Sequence, residues 1–106
     1  MGDMLDFCNR LDKRLRGVEK EKFDTDEDLQ IIIIHIVQNI GEAARRVSEA
    51  TRLRHPQIEW MNIVGMRNRL VHDYTNINLD AVWKAATVEV PRLAAELKAF
   101  MPSDPP

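Results

Sequence analysis

The segment LQIIIIHIVQNIGEAARRVSEA, residues 29–50, decides the fold. Its four consecutive isoleucines, Ile31 to Ile34, suit a β-strand as well as a helix, because β-branched side chains pack well on a pleated surface. The pattern on either side settles the choice. At about 100° per residue, Leu29, Ile32, Ile33, Ile36, Ile40, Ala43, Ala44, Val47 and Ala50 gather on one stripe, which a period of two does not produce. A helix is expected from about Asp26 to Arg54, with Thr25 or Asp24 as its N-cap. Ile31 and Ile34 lie on the opposite side, so the first half of this helix has two apolar faces to bury. In so small a domain the second face is expected to be a subunit interface. Gly41 inside the helix costs up to about 1 kcal/mol relative to alanine. Close approach of another helix is the expected reason for it.

Working outward, Met4, Phe7, Cys8, Leu11, Leu15 and Val18 form an amphipathic helix over residues 4–18, with Gly17 near its end. KEKFDTDEDL, residues 20–29, reads as a charged connection, its acidic run a solvated cap. His55-Pro56 breaks the chain, since proline disfavours helix in the residue before it. A further helix is expected from near Ile58 to His72 or Tyr74, followed by the turn residues TNIN and an Asn78 cap. Leu79, Val82, Trp83, Ala86, Val90, Leu93, Leu97 and Phe100 stay in phase across Pro91, which predicts one last helix kinked there. The fold class is therefore all-α, an antiparallel up-and-down bundle of about four helices. Residues 1–101 are expected to form one domain and residues 102–106 a disordered tail.

Composition narrows the function. The 106 residues are 44% hydrophobic and 30% charged, as in a soluble globular protein. Cys8 is the single cysteine, so no internal disulfide can form and a cytoplasmic location is expected. The amino terminus lacks the apolar run of a signal peptide. The longest apolar cluster falls far short of the roughly 20 residues that cross a bilayer, so no membrane contact is expected. A net charge of −2 argues against a general nucleic-acid coating protein but leaves room for a local cationic cleft.

Within WMNIVGMRNRLVHDY, residues 60–74, Arg67 falls in the middle of an apolar arc made by Trp60, Ile63, Val64, Met66, Leu70 and Val71. A guanidinium stays charged, so it needs a carboxylate partner or a cleft that an anion can reach. Phosphodiester cleavage without a metal needs a base working near neutral pH and a cation for the developing charge; histidine and arginine supply both. Arg67 and His72 lie about 140° apart on an ideal helix. They converge only if the helix loosens before His72 or a second chain closes the site. Spacing also fits a structural reading, with Arg67 paired to Glu42 and His72 capping a helix C-terminus. His35 reads as a core or interface residue, His55 as a loop residue, and Trp60 and Trp83 as core. The histidines and Cys8 lack metal-site spacing, so neither a metal nor a cofactor is expected.

The segment GMRNRLVHDY, preceded by IGEAARR and HPQIEWMNIV and followed by a Leu-Asp-x-Val-Trp helix, resembles the HepT-like toxins of the HEPN superfamily. The match runs from about Leu29 to Leu93 in the family's order. The resemblance implies a helical bundle that dimerises, with the motifs of both subunits meeting in a cleft. It implies a metal-independent endoribonuclease acting on RNA, in some members tRNA, as the toxin of a toxin–antitoxin pair. Arg67 and His72 would be the catalytic pair and Asn68 the polar residue beside them. Tyr74 would be the tyrosine to which an MntA-like nucleotidyltransferase antitoxin attaches AMP. Glu42 as a supporting partner of Arg67, and Arg45, Arg46 and Arg69 as local positive charge, complete the expected site. A catalytically inactive nucleotide- or protein-binding module on the same bundle is the alternative.

Overall fold

Gly17, at a φ of 75° that favours glycine, ends the first helix, α1 (Gly2–Leu15). The structure is a computed structural model describing residues 2–73 and 76–100, with only the backbone of 72, 73, 76 and 100. Met4, Cys8 and Leu11 of α1 are buried, and α1 packs on α3 (Glu27–Arg45) and α8 (Val90–Phe100). Burial among apolar neighbours pushes the Cys8 thiol up to about 12, so Cys8 is an inert packing residue.

The charged connection contains a helix of its own, α2 (Lys20–Thr25), built around a fully buried Phe23. The ring of Phe23 lies 5.3 Å from that of Trp83, tilted by 39°. Because α2 takes up Asp24 and Thr25, neither caps α3. Asp26 does so instead, its Oδ1 accepting from the Leu29 N–H at 3.0 Å. That backbone bond, with Lys22 at 3.2 Å, holds the Asp26 carboxyl below its ordinary range.

The long helix expected from Asp26 to Arg54 is two helices. After α3 stops at Arg45, Ser48 opens α4 (Glu49–Arg54) by accepting from the Thr51 N–H at 3.2 Å. Ser48 has an N-cap available, which competes with helix continuation. The freed carbonyls at the end of α3 are met by Arg52, whose Nη2 donates to Ala44 O at 3.0 Å and to Arg45 O at 3.1 Å. The isoleucine run behaves as its two faces demand. Ile33, Ile36 and Ile40 are buried, Ile32 and Ile34 are half-buried, and Ile31 is 56% exposed.

Gly41 lies against α5 (Trp60–Val64), where a Cβ would sit 3.3 Å from the carbonyl oxygens of both Ile63 and Val64. A side chain there would push on backbone, which accounts for a glycine inside a helix. Trp60 is buried and its Nε1 donates to His55 O at 3.1 Å, which fixes the loop before α5.

Asn78 caps α7 (Leu79–Lys84) as expected, its side chain accepting from the Ala81 N–H at 3.0 Å. The last helix is continuous through Pro91, but it is relieved by a π turn (Ala85–Glu89) between α7 and α8, not by a simple kink. Proline has no N–H, and its ring would strike the carbonyl four residues back, at Thr87. One extra residue in the turn, with the Val90 N–H reaching Ala85 O, opens the ladder around it. α1, α3, the segment 60–70 and α7–α8 are the four columns of an all-α bundle measuring 40 × 30 × 18 Å.

Candidate active site

The segment that carries the site residues is short and broken. After α5, Gly65 interrupts the helix, and α6 (Met66–Leu70) has no side-chain N-cap. Met66 and Leu70 anchor it in the core against α3. The helix expected to reach His72 or Tyr74 stops at Leu70. Val71 turns extended, at φ −127° and ψ 106°, and the Asn78 N–H takes the Leu70 carbonyl at 3.0 Å. Residues Val71–Asp73 (β1) then pair antiparallel with Asn76–Ile77 (β2), the single two-stranded ladder among the described residues. Val71, His72 and Asp73 are weak helix formers, so a few ladder hydrogen bonds outweigh one more helical turn.

The register is Val71 opposite Ile77 and Asp73 opposite Asn76, so His72 is the extra residue of an irregular ladder. Bulges of this kind bend the strand and raise its local twist. The 140° that an ideal helix would place between Arg67 and His72 no longer applies, because the helix ends between them. Tyr74 lies outside the described residues.

Arg67 is half-buried on α6 and Asn68 is exposed beside it. Among the described residues no carboxylate lies within 4 Å of Arg67. Glu42 faces Arg45 at 3.9 Å, and the direct Glu42–Arg67 pair does not form. Arg45 and Arg46 are exposed at the end of α3. Arg69 is not a free cation. Its Nη2 donates to Glu89 Oε1 at 3.2 Å, and Asn62 Nδ2 donates to the same oxygen at 3.4 Å. A small pocket of about 100 Å³ opens beside this cluster, lined in part by Gln57, Asn62, Met66, Glu89, Arg92 and Glu96, but not by Arg67. Glu89 and its contacts were not foreseeable by helical spacing, because the π turn changes which way residue 89 points.

Among the described residues, no group of three or more His, Cys, Asp or Glu is placed to hold a metal ion. No helix among them is long and apolar enough to cross a membrane.

These features define a small all-α domain with an arginine–histidine motif at the junction of a short helix and a hairpin. The chain belongs to the family described as Ribonuclease HepT-like, whose model matches residues 4–100. It is 30% identical over 98 residues to a candidate RNase of Caldanaerobacter subterraneus subsp. tengcongensis, covering 92% of this chain and 88% of that one. A candidate RNase of Methanocaldococcus jannaschii is 25% identical, with 93% and 82% covered. A candidate ribonuclease HepT of Thermococcus cleftensis is 25% identical, with 91% and 87% covered. No solved structure matches.

Proposed function

We propose that this chain is the toxin of a toxin–antitoxin pair, a metal-independent endoribonuclease that acts in the cytoplasm through Arg67, Asn68 and His72. The observation that carries the reading is the half-buried Arg67, which has no carboxylate partner among the described residues. A half-buried guanidinium stays charged and offers its N–H groups to an anion that reaches it. The family's ribonuclease name and the end of α6 before His72 support it.

In the proposed reaction His72 takes the proton of a ribose 2′-hydroxyl, and the 2′-oxygen forms a new bond to the adjacent phosphorus. The bond from phosphorus to the 5′-oxygen breaks, and that oxygen leaves with a proton from the His72 of a second subunit. The products are a 2′,3′-cyclic phosphate and a 5′-hydroxyl. Arg67 stabilises the charge that gathers on the phosphate oxygens, and Asn68 orients the scissile group. Purified protein should cleave RNA in the presence of EDTA. Cleavage that needs an added divalent cation would overturn the metal-free mechanism. No cleavage, together with nucleotide binding that depends on Arg67, would make the chain a binding module.

The acid of the second subunit requires a homodimer. The exposed Ile31 and His35, with Ile32 and Ile36 of α3 and Arg10 and Arg14 of α1, line a groove of about 350 Å³ between α1 and α3. Of the second apolar face of α3 it takes in Ile31, and we assign this groove to the dimer. Ile31→Glu should then sediment as a monomer at micromolar concentration. A variant that stays dimeric would move the interface elsewhere.

Silencing is assigned to Tyr74, two residues from the base. AMP attached there adds bulk and negative charge, which repel an RNA phosphate. Co-production with an MntA-like nucleotidyltransferase should raise the intact mass by whole AMP units, and Tyr74→Phe should abolish the gain. A gain that survives in Tyr74→Phe would place the modification on another residue.

A further inference from the structure

Glu89 lies outside the motif, yet one of its oxygens joins three segments. Oε1 accepts from Arg69 on α6 and from Asn62 on α5, while Glu89 itself sits in the π turn. We propose that Glu89 is a positioning residue for Arg67, fixing the rotation of α6 about its own axis; this rests on the ribonuclease reading above.

Three observations lead to it. A five-residue helix without a side-chain N-cap is too short to hold its own geometry. Met66 and Leu70, four residues apart and so on one face, are its buried residues and anchor that face to the core. Arg69 comes two residues after Arg67, about 200° around the helix, so a bond at Arg69 holds the back while Arg67 presents the front. The Arg69 and Glu89 side chains are 45% and 25% exposed. A pair that wet contributes little to stability. Its effect lies in direction.

The π turn gives Pro91 a part in this. One extra residue rotates the helix before the turn by about 100° relative to the helix after it. With the ladder closed in ordinary α-helical register, residue 89 would not face Asn62 and Arg69 from its present position. The proline opens the turn, the turn aims Glu89, and Glu89 clamps α6.

The test compares Glu89→Ala, the exchange Arg69→Glu with Glu89→Arg, and the control Glu96→Gln from the same pocket. RNA-cleavage kinetics are read together with the Arg67 Nε–Hε signal in nitrogen-15 NMR of the full chain. Glu89→Ala should lower kcat by about 10- to 100-fold, as small misplacements of a catalytic group do, with KM little changed. Its melting midpoint should stay near that of the parent, and its Arg67 signal should shift or broaden. The exchange variant should recover most of both losses, and Glu96→Gln should match the parent. An unchanged Arg67 signal in Glu89→Ala, or a folded exchange variant with no recovery, overturns the proposal. If the parent itself cleaves no RNA, the ribonuclease reading fails, while the Arg67 signal still decides for or against Glu89.

Discussion

Arg67→Ala should yield a folded protein that cleaves RNA about 10²- to 10³-fold more slowly, the usual loss when one group that stabilises transition-state charge is removed. Folding and activity should separate cleanly here. Arg67 is half-buried and no described carboxylate pairs with it, so its removal leaves no orphaned partner among the described residues. The expected cost is the packing of its aliphatic stem, on the order of 1 kcal/mol. His72→Ala should lose about 10²- to 10⁴-fold, the range of a positioned general base. The double variant should be little worse than the poorer single one, because the two groups act on one transition state. Arg67→Lys keeps the charge but loses the planar fork, and should fall between parent and alanine. Gel cleavage of a defined RNA in EDTA measures all four. A folded Arg67→Ala or His72→Ala protein cutting at the parent's rate would remove that residue from the catalytic pair.

Much of this fold could be read from hydrophobic spacing, and its departures have local causes. The stripes of α1, α3 and α8 keep helical period because each buries one face, and Gly41 pointed to a close backbone neighbour that α5 provides. Phe23 gives no such signal because it is one aromatic among charged residues. A six-residue helix with a single buried side chain has no period to detect. Ser48 ends α3 early although Val47 and Ala50 continue the stripe, because capping is a local hydrogen-bond effect that helical periodicity does not register. The end of α6 at Leu70 is hidden for the same reason, since Leu70 and Val71 both fit the apolar arc while the decisive bond comes from Asn78, eight residues on. Of the candidate site, Arg67 was legible as a charge on an apolar arc. The Asn62–Arg69–Glu89 cluster was not, because it links residues 20 and 27 positions apart through an irregular turn.

Phe23→Ala should destabilise the bundle by about 3–5 kcal/mol, the usual range for truncating a buried phenylalanine. The ring is fully buried and packed on Trp83, and it is the only buried residue of α2. Lys20 also ties α2 down, reaching Asp24 and Asp80 at 2.8 Å each. Those pairs are open to water, where screening and side-chain entropy leave them far weaker than a buried ring. The comparison Lys20→Ala against Phe23→Ala therefore decides what docks α2 onto α7. With a total stability of about 5–15 kcal/mol for a domain of this size, the phenylalanine variant should melt at least about 10 °C below the parent. The lysine variant should stay within a few degrees. Equal losses for the two would mean that the ion pairs hold α2 in place. A loss below about 4 °C for Phe23→Ala would mean that the cavity collapses around the smaller side chain and that α2 contributes little to the bundle.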